Sequence, residues 1–190
     1  MPRPKKNAVP ETDQATGHRL DFLRNFLAAV GLSQKDVAQL AGVSTVTVSN
    51  WFRSDNMRID QVTDIISKTG YTASIILTRR NDMPELPINV TPEDFNDGEG
   101  RFVLKRMAFL SFALREIGVT KQELAERLGI TPYSVTAWYK ADTVAIDRVF
   151  QIAKAYDLNI YIDIQPAKNT NKRTAPSIVT KMTVMTEYAV

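Results

Sequence analysis

The chain has 190 residues, 44% hydrophobic and 24% charged, ordinary proportions for a globular protein. It has no cysteine and one histidine, His18, which rules out a disulfide framework and a thiolate site and argues against a histidine metal cluster or triad. The net charge is +3, and no apolar run approaches the length of a membrane span.

The N-terminal stretch "MPRPKKNAVPETD" lacks the apolar core of a signal peptide, so a cytoplasmic protein is expected. Residues 1–17 read as a basic arm, with Arg3, Lys5 and Lys6 suited to wrapping a polyanion or to simple solvation. His18 reads as a surface residue at a helix start. Phe22, Leu23, Phe26, Leu27 and Val30 follow at helical spacing, and Gly31 ends that helix. Ser33 is a good N-cap for a second helix, with Asp36 three residues on, close to a capping box. A sharp turn at Gly42 precedes Ser44, the N-cap of a third helix that ends on Trp51-Phe52. A fourth helix is predicted over Ile59–Lys68, and a strand over "TASIILT".

The same order then returns. Gly31 and Gly118 lie 87 residues apart, and at that offset 15 of the 59 positions from Arg19 to Leu77 are identical without a gap. Both tryptophans, Trp51 and Trp138, fall in register, as do Gly42 and Gly129, Asp55 and Asp142, and Asp60 and Asp147. Thr120 and Glu123 repeat the near capping box, and Thr131 caps the third helix of the second copy, with Pro132 at its first position. Its fourth helix is predicted over Ile146–Tyr156 and its strand over "NIYIDIQ", where Ile160, Ile162 and Ile164 alternate with Tyr161 and Asp163. The expected layout is therefore domain one at 18–80, an acidic linker at 81–100, domain two at 101–165 and a C-terminal tail at 166–190. The linker includes a short capped turn at Thr91-Pro92-Glu93-Asp94. The tail begins basic, with Lys168, Lys172 and Arg173, and ends in a β-branched run that suits a strand or an interaction segment. The fold class is all-α: two tandem four-helix domains, each followed by a short β-strand. Such a strand is unstable alone, so Ser74–Thr78 is expected to pair with Ile160–Ile164 as a small two-stranded sheet.

Residues 81–100 hold six acids and no Lys or Arg, which leaves 24 basic against 15 acidic residues, a net +9, elsewhere. That excess suits a polyanion, although many basic proteins touch no nucleic acid. A break between two short helices, with a glycine in the turn, is the signature of a helix-turn-helix, whose second member projects far enough to enter a DNA major groove. Trp51 and Trp138 share the register of the buried valines and read as core. Asp55, Asp60, Asp142 and Asp147 flank Ile59 and Ile146 and read as turn and N-cap residues of the fourth helices, not as catalytic acids.

"LSQKDVAQLAGVSTVTVSNW" and "VTKQELAERLGITPYSVTAW" resemble the Cro/lambda-repressor-like (Xre-type) helix-turn-helix family, over nearly all of 19–77 and 106–164. Phe52 and Tyr139 depart from the glutamate that the family often carries after the tryptophan. The resemblance implies a sequence-specific double-stranded DNA-binding regulator that needs no cofactor and is not an enzyme. It implies base reading by Thr45, Val46, Thr47, Ser49 and Asn50 in the first copy and by Tyr133, Ser134 and Thr136 in the second. It implies phosphate contacts from Gln34, Lys35, Arg53, Lys121 and Lys140. Pro132 and Ala137 stand where copy one has Thr45 and Asn50, so the two copies are expected to read DNA unequally, as a pseudo-dimer on an imperfect palindrome. The rival reading is a protein-interaction or assembly module, phage-accessory or antitoxin-like, that keeps the fold without reading the groove. The strands and the tail are the expected surfaces for a second copy or a protein partner.

Overall fold

The computed structural model describes residues 12–13, 18–81, 105–167 and 178–182. Copy one comprises α1 (Asp21–Ala29), α2 (Gln34–Ala41), α3 (Thr45–Ser54), α4 (Ile59–Lys68) and a strand, β2 (Tyr71–Thr78). Copy two comprises α5 (Ala108–Ile117), α6 (Lys121–Arg127), α7 (Pro132–Ala141), α8 (Ile146–Tyr156) and β3 (Asn159–Pro166). Two further strands are β1 (Thr12–Asp13) and β4 (Ile178–Met182). The remainder of the basic arm, the acidic linker from residue 82 and most of the tail, with their charged residues and the Thr91 turn, lie outside the described residues.

The helix boundaries follow from their caps. The Ser33 hydroxyl accepts the Asp36 N–H, and the Asp36 carboxylate accepts the Ser33 N–H at 2.8 Å, a complete capping box. Thr120 and Glu123 form the same box at the start of α6. Gly42 ends α2 in the left-handed region at φ 68°, a conformation that costs a residue with a Cβ. The chain can therefore reverse and restart within three residues.

Asp55 and Asp142 sit in the turns that the sequence predicts, but the predicted N-capping is corrected. Neither caps a fourth helix; the N-cap positions there are Arg58 and Ala145. Both aspartates end a third helix in the left-handed region, at φ 51° and 48°. Each carboxylate reaches back to the start of its copy's first helix. Asp55 accepts the N–H groups of Arg19 and Leu20 at 2.5 and 3.0 Å. Asp142 accepts those of Arg106 and Met107 at 3.1 and 3.0 Å. The tie fastens the end of the projecting helix to the scaffold, and no local sequence rule signals a partner 35 residues away. Asp60 and Asp147 lie inside the first turns of α4 and α8.

The apolar stripes pack as one core that runs through both copies, built on Phe22, Phe26, Ile65 and Ile66 and on Leu110, Leu124, Ile146 and Ile152. Trp51 and Trp138, expected inside, are half-buried at its margin, and Phe52 is the buried aromatic of α3. Ala38 and Ala125 are buried where the second and third helices meet.

The two expected strands pair with each other, antiparallel, over their full lengths. β4 adds to the other side of β3 and β1 to β4, so the sheet has four strands in the order β1-β4-β3-β2. The alternation in β3 does not mark a solvated face. Tyr161 and Asp163 are buried along with Ile160, Ile162 and Ile164.

The register of β2 on β3 places Ile75 opposite Ile162, and these residues are counterparts under the 87-residue offset. A second self-paired point lies between the fourth helices, where Arg58 bridges its own counterpart Ala145. Around it four contacts come in mated pairs. The Ile59 N–H donates to the Val144 carbonyl at 2.9 Å, and the Ile146 N–H to the Met57 carbonyl at 2.8 Å. Thr143 Oγ1 accepts the Asp60 N–H at 3.3 Å, and Asn56 Oδ1 accepts the Asp147 N–H at 3.2 Å. Each copy thus caps the fourth helix of the other, which supplies the side-chain caps that Arg58 and Ala145 lack.

Candidate nucleic-acid interface

The projecting helices α3 and α7 carry most of the base-reading candidates, and both show an exposed outer face. Thr45, Val46, Ser49 and Asn50 are exposed on α3, and Tyr133 and Thr136 on α7. Val46 and Tyr133 occupy equivalent positions and are exposed to 66% and 74%. They are large apolar side chains facing solvent, where a thymine methyl would be a suitable contact.

The hydroxyls differ in their freedom. Thr47 and Ser134, also equivalent, are half-buried, and each lies 2.9 Å from the hydroxyl of its helix's N-cap, Ser44 or Thr131. Thr136 donates to the Pro132 carbonyl at 3.1 Å. Thr45, Ser49 and Asn50 thus make up the more available polar face. Arg53 Nη2 donates to Asn50 Oδ1, one turn along α3. The structure therefore joins a base-reading candidate to a phosphate candidate.

Gln34, Lys35, Arg53, Lys121 and Lys140 are all exposed. Gln34 and Lys121 open the second helices, next to the capping boxes. The Lys121 ammonium sits 4.2 Å from the centre of the Tyr139 ring, a cation–π contact that fixes it. Ser33 and its backbone hold the Asp36 carboxyl below its usual range, and Thr120 does the same for Glu123. Those two acids stay charged and hydrogen-bonded to the caps.

The family described as Helix-turn-helix matches residues 23–74. The family described as Bacteriophage CI repressor helix-turn-helix domain matches residues 108–162. The chain carries two tandem helix-turn-helix domains. No curated protein and no solved structure matches it. Both matched families support a DNA-binding regulator of the repressor type, with DNA as the partner, and such families are generally non-enzymatic. Among the described residues of this tandem helix-turn-helix protein, no group of three or more His, Cys, Asp or Glu could hold a metal ion, and no helix is long and apolar enough to cross a membrane.

Lys105 and Arg115 were not among the sequence-derived candidates. They lie with Lys121 around a cleft in the second domain. The available signal was the exchange of Arg24 for Ser111 between the copies, which marks a side chain lost from one of two otherwise similar surfaces.

Proposed function

We propose that the chain is a cytoplasmic transcriptional regulator that binds double-stranded DNA with both domains on one duplex, as a covalent pseudo-dimer. The domains are 18–80 and 101–165, flanked by the basic arm at 1–17, joined by the acidic linker at 81–100 and followed by the tail at 166–190. Thr45, Val46, Thr47, Ser49 and Asn50 read bases from α3, and Tyr133, Ser134 and Thr136 from α7. Gln34, Lys35, Arg53, Lys121 and Lys140 position the phosphates.

One observation carries this reading: the contacts between the copies, from Ile75–Ile162 to the crossed caps of Asn56 and Thr143, are mated about the 87-residue offset. A two-fold relation between two projecting helices matches the two-fold relation between the half-sites of a palindrome, roughly 34 Å apart. The faces differ, with Asn50 replaced by Ala137 and Thr45 by Pro132, so the site is an imperfect palindrome whose stricter half lies under domain one.

Selection of binding sites from random duplexes tests the proposal. The expected result is two unequal half-sites at one fixed spacing. A folded chain that enriches no sequence refutes the proposal and favours the assembly-module reading.

A further inference from the structure

The 87-residue offset lets one strand edge be compared twice in a single molecule. β3 is paired on both sides, with β2 and with β4, whereas β2 is the last strand of the sheet. The residues of β3 that face β4 are Ile160–Ile164, and their counterparts on β2 are Ala73–Leu77. A strand therefore occupies an edge in domain two whose equivalent in domain one has, among the described residues, no strand against it.

The ladder fixes which groups that edge leaves over. The Gly70 carbonyl accepts the Ala167 N–H at 2.9 Å, a bond that brackets the pair Tyr71–Pro166. Successive pairs in an antiparallel ladder alternate between exchanging hydrogen bonds and not exchanging them. Thr72, Ser74 and Ile76 thus bond β3, and Ala73 and Ile75 turn their N–H and carbonyl groups outward. Such an edge is a template for another strand unless something covers it. Toward the C-terminal end α5 does so: Thr78 donates to Glu116 at 2.8 Å, and Ile76, Leu77 and Thr78 are buried. At Ala73 and Ile75, both half-buried, the edge opens instead on a cleft of about 300 Å3 between α4 and α5. Ile59, Phe109 and Phe112 give that cleft an apolar wall. Its charges do not cancel. Asp64 is held by Arg106 at 2.9 Å, which leaves Lys105 with no ion-pair partner among the described residues.

We propose that the Ala73–Ile75 edge binds an extended peptide of a partner protein by strand addition, with apolar side chains entering the cleft and an acidic one meeting Lys105. The strand edge supplies hydrogen bonds, the cleft supplies apolar contact, and Lys105 selects the sign of the charge. The site stands whether or not the chain binds DNA.

The test titrates the full chain into a fluorescent peptide of residues 177–183 that carries Lys181→Glu. This keeps the pattern of β4 and sets an acid opposite Ser74, which lines the cleft with Lys105. Fluorescence polarisation should show saturable binding. In the β4 register the peptide amide at position 180 faces Ile75 and the amide at position 181 faces away. N-methylation at 180 should weaken binding about tenfold, the loss of one hydrogen bond, and N-methylation at 181 should not. Ala73→Pro removes an outward N–H and no ladder bond, a change that edge strands tolerate, and should also cost about tenfold. Lys105→Glu should reverse the preference, so that the peptide with its natural Lys181 binds better than the acidic one. If Ala73→Pro does not fold, the N-methyl pair and Lys105→Glu decide the matter. Absence of saturable binding overturns the proposal. Binding indifferent to both Ala73→Pro and Lys105→Glu places the peptide on β3 in exchange for β4 and overturns it too. Dimers of the chain that Ala73→Pro dissolves give the edge to a second copy, with the same consequence.

Discussion

Thr143 closes the first turn of α4 from the other domain, its hydroxyl donating to the Asp60 carboxylate at 2.7 Å and accepting the Asp60 N–H at 3.3 Å. It is 7% exposed, so water does not readily replace either bond. Thr143→Val should cost about 1–2 kcal/mol, the range for a lost cap plus a hydrogen bond to a charged group. Thr143→Ser should restore most of it. Urea unfolding measures both, and an unchanged midpoint in Thr143→Val would contradict the crossed cap.

The same contact gives a pH dependence. Burial pushes the Asp60 carboxyl up, but the hydrogen bond from Thr143 and the Arg58 guanidinium outweigh it and hold the pKa below the usual 3.8. A carboxyl lowered by folding stabilises fully above its unfolded value and loses that contribution as pH falls through the folded one. The stability gap between the natural chain and Thr143→Val should thus be widest near neutrality and narrow below about pH 4. A gap that widened on acidification would contradict the assignment.

Asp163 has the opposite sign. Burial within the sheet pushes its carboxyl up, against a 2.6 Å bond from Gln165, and among the described residues its Oδ1 has no hydrogen-bond partner. A raised carboxyl destabilises at neutral pH and is relieved as pH falls through the raised value. Asp163→Asn should therefore stabilise the chain at pH 7 by on the order of 1 kcal/mol. The gain should shrink toward pH 4 in a thermal-melt series. Destabilisation at pH 7 would show that the charge itself is needed.

Asp55→Ala should cost about 2–3 kcal/mol, since it strains a left-handed residue and frees two N–H groups at the start of domain one. Asp55→Gly keeps the conformation and should cost less by roughly 1 kcal/mol. Calorimetry on both variants separates the backbone from the bond, and equal losses would assign everything to the carboxylate.

On DNA, Asn50→Ala should cost about 1–3 kcal/mol on the selected site and relax one base position. Arg53→Gln should weaken binding to every sequence and lower the salt slope by about 0.9. The Arg53–Asn50 bond adds that Arg53→Gln also releases Asn50, so the double variant should cost less than the sum of the two. Strict additivity would mean that the pair is broken when DNA is bound.

Much of the fold was legible because its signals are local. Ser33 with Asp36, Thr120 with Glu123, Gly42 and the apolar stripes act within a few residues, and the structure follows them. The pairing of β2 with β3 was legible because each short strand needs a partner, whereas the addition of β4 and β1 was not. The turn at Asp55 was legible but its bonds were not, because its partners are 35 and 36 residues back. Thr143 and Asn56 gave no signal, since the helices they cap belong to the other domain. At the interface, the residue types on α3 and α7 were readable, but the bonds that occupy Thr47, Ser134 and Thr136 depend on side-chain rotamers.

Ile75 against Ile162 is the geometry that two separate copies of one polypeptide would adopt about a shared axis. Two such molecules would be encoded once, so any mutation in a third helix would change both copies together. In this chain each half is encoded separately. Asn50 can mutate while Ala137 stays as it is, and the sheet that holds the halves in register need not change with either. Assembly also survives dilution, because the partner is never more than a linker away. Selection can therefore retune one half at a time, and an unequal pair of contact surfaces is the inheritance such a chain would be expected to accumulate.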